Sequence, residues 1–417
     1  MSKLLPPVLC VVGARPNFMK MAPILEAFAR AEPAIPATLV HTGQHYDVAM
    51  NEQHFAALGL PKPDISLEVG SGSHAKQTAA VMEHFEPVLD EVQPAAVLVV
   101  GDVNSTLACT LVASKKGVPV IHVEAGLRSY DRTMPEEINR VLTDQIADLL
   151  FTTEAKAEDN LAREGVPAER VRFVGNVMID SVHRNREKAV SAAQTLAALD
   201  VDPAKPWGLV TLHRPSNVDD AAVLANIVGT LNEAAERLPL VFPVHPRTRA
   251  RMSHVAAPRT TYGSAGTAAP VGAVSDRESA RSALQEPPEG TAPGAVSRSE
   301  AAPTGATNLH LLDPVDYLTM LGLLQSATLV ITDSGGLQEE TTALGIPCLT
   351  VRENTERPIT IEQGTNTLVG TDRATILAAV DNILTTGGKQ GRIPEYWDGQ
   401  TAERIATELN RWLGRSG

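Results

Sequence analysis

Short apolar runs rich in valine, isoleucine and leucine recur along this chain, separated by longer stretches with apolar residues at helical spacing. The runs at 8–13, 38–42, 96–101, 118–123, 149–152 and 171–174 read as strands. The stretches at 18–30, 78–92, 104–116 and 136–147 read as helices. Strands that are apolar throughout are buried on both faces, and their alternation with amphipathic helices implies parallel sheets covered on both sides. The spacing predicts a further helical stretch at 179–199, then a turn-rich joint at 202–206. The rhythm restarts there, with strands at 208–212, 240–244, 309–312, 329–332 and 348–351. The expected fold class is α/β, with two doubly wound domains facing a cleft. The first domain is placed at 1–180 and the second at 181–395. A C-terminal segment, 396–417, carries a helix at 401–413 that can pack back on the first domain. Ligands in such sheets bind beyond the carboxyl ends of the strands, so the cleft is the expected site.

One segment breaks the rhythm. Residues 256–307 are rich in Ala, Gly, Pro, Ser and Thr with few large apolar side chains, too few to offset the entropy of ordering. This segment is expected to be a low-complexity insertion in the second domain, most simply a tolerated loop expansion. The 417 residues are 43% hydrophobic and 20% charged, an ordinary globular balance for more than one domain. A formal net charge of -13 argues against nucleic-acid binding. It leaves room for a small anionic ligand, which needs only a local cluster of arginines and helix N-termini. The apolar run after the first few residues is too short for a signal-peptide core or a membrane span. The three cysteines, Cys10, Cys109 and Cys348, sit singly in apolar runs without metal-type spacing. They fit buried side chains in a reducing compartment, and the expectation is a cytoplasmic protein with no metal.

Four places carry chemistry. Gly13-Ala14-Arg15-Pro16-Asn17 follows the first strand, so Arg15 and Lys20 fall at a helix start, where phosphate oxygens are well placed. The alternative there is a purely structural turn. Asp333-Ser334-Gly335-Gly336 leads from a strand into a helix and exposes backbone N–H groups, a natural cradle for a diphosphate. Glu340 lies about a turn further on, suited to a pair of ribose hydroxyls; alternatively Glu339 and Glu340 only complement the helix dipole. Asp102, Glu124 and the Glu136-Glu137 pair stand at strand ends or a helix start in the first domain, where converging carboxylates suit proton transfer at carbon. His213-Arg214 and His245 with Arg247 end strands of the second domain and read as a diphosphate clamp, with Arg357 a further cation.

These residues resemble the non-hydrolysing UDP-N-acetylglucosamine 2-epimerases. The resemblance spans nearly the whole chain outside 256–307. It rests on Gly13-Ala14-Arg15-Pro16 with Lys20-Met21-Ala22-Pro23, Gly101-Asp102, His122-Val123-Glu124-Ala125-Gly126-Leu127-Arg128, Pro135-Glu136-Glu137-Ile138-Asn139-Arg140, Gly175-Asn176, His213-Arg214, Asp333-Ser334-Gly335-Gly336-Leu337-Gln338-Glu339-Glu340 and Thr355-Glu356-Arg357-Pro358. It implies two Rossmann-like domains as in glycosyltransferase-B enzymes, a homodimer, no cofactor, and reversible conversion of UDP-GlcNAc to UDP-ManNAc for surface polysaccharides. By motif, Asp102, Glu124 and Glu136 are the implied catalytic carboxylates, and His213 assists departure of UDP. Arg15, His245, Ser334, Gly335, Gly336, Glu340 and Arg357 are implied UDP contacts, and Lys20 an active-site cation. Relatives with a second, allosteric substrate site carry a glutamine-rich form of the segment 42–47; here Asp47 stands where a glutamine is expected. Epimerisation of a related UDP-diacetamido sugar, or a glycosyltransferase reaction on the same architecture, remain alternatives.

The C2–H bond of an N-acetylhexosamine is barely acidic, because no ketone flanks it. Oxidation by NAD is one remedy, and no G-x-G-x-x-G follows any predicted strand. Expelling UDP from C1 first is the other. It makes the C2 proton acidic and passes through a 2-acetamidoglucal, with one carboxylate removing the proton and a carboxylic acid on the opposite face returning it.

Overall fold

Val8–Val12, buried at every position, is the first strand of a parallel sheet. In this computed structural model the described residues are 6–43, 60–252, 261–263 and 308–414, with the backbone but not the side chains described at Arg15 and 261–263. The Thr42–Asp47 segment therefore lies outside the described residues from 44 onward. The first sheet contains β1 (Val8–Val12), β2 (Ala37–His41), β3 (Ile65–Ser66), β4 (Ala96–Val100), β5 (Val120–Ala125), β6 (Leu149–Thr152) and β7 (Val171–Phe173). Its order is β3-β2-β1-β4-β5-β6-β7, and every pair is parallel. The second contains β8 (Gly208–Thr211), β9 (Leu240–Pro243), β10 (Thr261–Gly263), β11 (Leu309–Leu312), β12 (Leu329–Thr332), β13 (Cys348–Thr350) and β14 (Asn366–Leu368). Its order is β10-β11-β9-β8-β12-β13-β14, again parallel throughout. In each sheet the order reverses beside the first strand, between β1 and β4 and between β8 and β12. A crevice opens beyond the strands at such a switch point, and both switch points carry residues singled out above.

Three differences from the sequence reading have local causes. The helical stretch at 179–199 is two helices, Val177–Asn185 and Ala192–Ala197. Between them Val190 runs against the helix Tyr317–Ser326, donating its N–H to Leu318 O at 3.1 Å. The approach is so close that a Cβ on Gly322 would lie 1.7 Å from Val190 O. Residues 261–263, inside the segment read as an insertion without structure, form the edge strand β10 beside β11. The rest of 256–307 is outside the described residues. Strands β3 and β14 are too short to show a pattern in the sequence.

The last helix, Thr401–Trp412, lies against the first sheet's helices. Its Ala402, Ile405, Ala406 and Leu409 share one core cluster with Phe18, Met21, Phe28 and the inward residues of β1 and β4. Asp180 holds its start, accepting from Thr401 N at 3.2 Å and Ala402 N at 2.7 Å. Cys10, Cys109 and Cys348 are free and buried. Among the described residues no helix is long and apolar enough to cross a membrane.

Candidate active site

The first switch point is organised by backbone. Gly101, directly after β4, has φ +70°, and an added Cβ would sit 3.6 to 3.8 Å from Asn17 Nδ2, Lys20 Nζ and Glu124 Oε2. Glycine is suited to that left-handed geometry, and its bareness lets those three side chains close around it. Asn17 ties the turn after β1 to the end of β4: its amide donates to Val100 O at 2.9 Å, and its oxygen accepts from Ala14 N at 3.1 Å. Glu124 lies within β5, where the pairing with β6 slips between Val123 and Ala125. Its φ is +73°. A non-glycine residue held there costs about 1–3 kcal/mol and persists where its surroundings over-determine it. His122 secures the neighbourhood: the fully buried ring bridges Asp144 at 2.7 Å and Gly101 O at 2.8 Å.

Glu124 is gripped from both sheets. Its Oε2 meets Lys20 Nζ from the helix Arg15–Arg30, and its Oε1 meets Arg357 Nη2, beyond β13, at 2.5 Å. Arg357 Nε also lies 2.6 Å from Glu339 Oε1, which accepts from Asn176 Nδ2 at 2.9 Å. Burial pushes the Glu339 carboxyl up, against the pull of Arg357. Asp102, half-buried, pairs with Arg140 of the helix Pro135–Ile146. Burial pushes the Asp102 carboxyl up, but Arg140, Lys20 and Arg357 together hold it below its ordinary value. Arg140 is itself shared with Glu137 at 2.5 Å, and Glu137 receives Ser129 N and Tyr130 N at 3.0 and 2.9 Å. Asp102 and Glu124 thus share one charge network. Glu136, half-buried in the first turn of the same helix, is joined to neither by a hydrogen bond or ion pair among the described residues.

The second switch point faces this edge with different groups. Asp333, wholly buried after β12, accepts from His213 N, Arg214 N and Asn217 Nδ2 and lies 2.8 Å from His213 Nδ1. Its burial would raise its pKa, but the bonds to His213 and the two backbone N–H groups hold it below the usual carboxylate range. With Nδ1 fixed, Nε2 of His213 is the nitrogen left to act, and the ring is partly exposed with the His245 ring centroid 5.8 Å away. Ser334 precedes the helix Gly335–Leu344, whose first turn carries no acidic residue and no side-chain cap. The N–H groups of Gly335 and Gly336 therefore keep the unmet donors of a helix start. A Cβ on Gly335 would lie 2.7 Å from Glu356 Oε1. Glu356 is pinned by Arg214 at 3.0 Å and Arg352 at 2.9 Å. Glu340 is buried, and burial aided by Glu339 pushes its carboxyl up to about 8.

Sequence reasoning placed two arginines in a clamp that the protein itself employs: Arg214 on Glu356, and Arg247 on Asp219 at 2.5 Å. Arg15 opens its helix; its side chain is outside the described part. Several side chains around the site were not singled out: Arg140, Asp333, Asn217, Asn176 and Glu154; Glu137 was, beside Glu136. Asp333, Arg140 and Asn176 stood inside quoted motifs, and Glu154 just after a predicted strand, which were the available signals. Among the described residues no cluster of His, Cys, Asp and Glu suits a metal.

A family described as UDP-N-acetylglucosamine 2-epimerase matches residues 28–410. The chain belongs to that family. A UDP-N-acetylglucosamine 2-epimerase of Methanocaldococcus jannaschii is 36% identical over 406 residues, covering 96% of this chain and 97% of the relative. A UDP-2,3-diacetamido-2,3-dideoxy-D-glucuronate 2-epimerase of Pseudomonas aeruginosa is 38% identical over 409 residues, 96% of this chain and 99% of that one. Among solved structures, the M. jannaschii UDP-GlcNAc 2-epimerase in complex with UDP-GlcNAc and UDP superposes with a TM-score of 0.78 at 34% identity, covering 97% and 99% of the two chains. The UDP-GlcNAc 2-epimerase family thus accounts for the two parallel sheets and the cleft edges that face each other.

Proposed function

We propose that this chain interconverts UDP-GlcNAc and UDP-ManNAc by eliminating and re-adding UDP. The observation that carries the reading is Glu124: a buried carboxylate in a left-handed backbone, gripped by Lys20 from one sheet and Arg357 from the other. UDP would lie over the Gly335–Gly336 N–H groups, with His213, His245 and Arg357 about the diphosphate and Glu340 on the ribose. As the C1–O bond breaks, negative charge grows on the diphosphate where these donors are already placed. Arg357 then has two anions within reach. Movement toward the diphosphate loosens its hold on Glu124 just as the C2 proton becomes acidic. Asp102 and Glu136 are the candidates for the opposite face. His213, oriented by Asp333, would protonate the departing phosphate.

Proton NMR of UDP-GlcNAc with the purified protein in D₂O, with no cofactor added, tests this directly. Deuterium at C2 in both epimers is the expected result. No exchange and no new sugar would refute it. A second reading, epimerisation of a UDP-diacetamido-uronate, is favoured by the 38% identity to the Pseudomonas relative. The same experiment with that sugar distinguishes the two by rate. A soluble, cytoplasmic enzyme feeding polysaccharide synthesis fits either substrate. So does a homodimer, for which Ile138 and Leu142 of the helix Pro135–Ile146 leave an apolar face 45% and 43% exposed. Leu142→Asp should then sediment as a monomer.

A further inference from the structure

Gln338 lies in the helix Gly335–Leu344, one turn beyond Ser334, and is wholly buried. Its amide joins three segments of the second lobe. Nε2 donates to Ser334 O at 3.2 Å, in the turn that presents the Gly335 and Gly336 N–H groups. Oε1 accepts from Thr355 Oγ1 at 2.7 Å, in the loop before Arg357, and from Asn366 Nδ2 at 3.2 Å, at the start of β14. A leucine would fill much of the same space without the cost of desolvating an amide. It could not bond these segments to one another.

The hydrogen bonds run on to the backbone of Arg357 from two sides. Its N–H donates to Thr355 Oγ1 at 3.0 Å. Its carbonyl accepts from Thr360 Oγ1 at 2.7 Å, and Thr360 Oγ1 accepts in turn from Asn366 Nδ2 at 3.1 Å. Donors and acceptors fit together in one way only. Arg357 O can only accept, so it takes the Thr360 hydroxyl proton. Asn366 then offers N–H to both Thr360 and Gln338, and Gln338 faces it with oxygen. The amide N–H of Gln338 is thereby directed at Ser334 O. Arg357 thus leaves a backbone fixed at both its N–H and its carbonyl, and its side chain reaches Glu124 in the first lobe at 2.5 Å. The helix start and the guanidinium are tied to one another through a single side chain.

We propose that Gln338 is a positioning residue that holds the Ser334–Gly336 turn and the Arg357 loop at the separation a diphosphate requires. The inference rests on the reading that both of these contact the diphosphate of UDP. Gln338, wholly buried, has no surface to offer a nucleotide and acts through the groups it bonds.

Calorimetric titration of the full-length protein with UDP, and with uridine by competition, tests it, because uridine lacks the phosphates. Gln338→Met keeps the length of the side chain and removes all three bonds. Thr355→Val keeps the shape of threonine and removes the hydroxyl between Gln338 and Arg357, whereas Thr355→Ser keeps that hydroxyl. Gln338→Met and Thr355→Val should each raise the Kd of UDP by about tenfold, the worth of about one hydrogen bond, and leave that of uridine within about twofold. Thr355→Ser should bind UDP far more tightly than Thr355→Val. Unchanged UDP affinity in Gln338→Met and Thr355→Val overturns the inference and leaves the epimerase reading standing. So does an equal loss for UDP and uridine, which marks a merely structural role, or a Thr355→Ser protein as weak as Thr355→Val. A wild type that binds no UDP overturns both the inference and the reading beneath it. Should Gln338→Met fail to fold, the two Thr355 variants decide by the same comparison.

Discussion

The two sheets present opposite chemistry at the same topological address. Beyond β1 and β4, the first offers Lys20, Glu124, Asp102 and Arg140, each held in an ion pair. Beyond β8 and β12, the second offers backbone N–H groups at the start of a helix and a histidine with one nitrogen engaged. The first edge costs backbone strain at Glu124, while the second is a helix start with glycine and no acid in its first turn, the arrangement that suits an anion. Doubly wound sheets thus specify where a site lies, and the residues after the switch strands decide whether the place holds proton chemistry or binds charge. Arg357 is the exception: it starts in the second lobe and pairs with the first lobe's Glu124.

Separating the two edges by mutation is the sharpest challenge to this division. Glu124→Gln and Asp102→Asn should each lower C2 exchange by about 10²–10⁴-fold. Calorimetric UDP affinity should change little for Asp102→Asn, and a large loss there would mean that the first edge binds as much as it reacts. Next in size, Gly335→Ala should weaken UDP binding by about tenfold, equivalent to about 1.4 kcal/mol. Its new Cβ would push on a Glu356 that two arginines hold in place. Exchange at saturating substrate should survive, and its loss would move chemistry onto the second edge.

The smallest effect concerns pH. The Glu340 carboxyl is pushed up to about 8 by burial, whereas in the unfolded chain it ionises near its ordinary value of about 4.3. Its contribution to stability is therefore complete below that ordinary value and is lost as pH rises through about 8. The Tm should fall across that window and fall less in Glu340→Gln. Asp180, raised by burial to about 6, adds a slope of the same sign at lower pH that this variant keeps. An identical slope in both proteins would show that Glu340 is not buried as a neutral acid.

Much of the fold was legible because β1 and β4 are continuously apolar and each is followed by a glycine, while β6, β8 and β12 are apolar up to a closing threonine. The strand pairing was not, since no periodicity states which strand lies beside which. Of the site, Glu124 and Ser334–Gly336 stood out because a polar residue interrupts an apolar run. The partners were hidden for the reverse reason. Arg140 looks like any charged helix residue, and only folding brings it to Asp102. Strand β10 was hidden by its composition: in a sheet edge, three residues need only backbone to pair.

The helix Thr401–Trp412 has a consequence for how the molecule is made. A ribosome releases the chain from its N-terminus, so β1 through β7 emerge long before residues 402–409. Those late residues fill part of the first lobe's core beside Phe18 and Phe28. During synthesis that face must stay open to water, or to a chaperone, until the entire second lobe has followed. The first half of the protein to be born is thus the last to be finished.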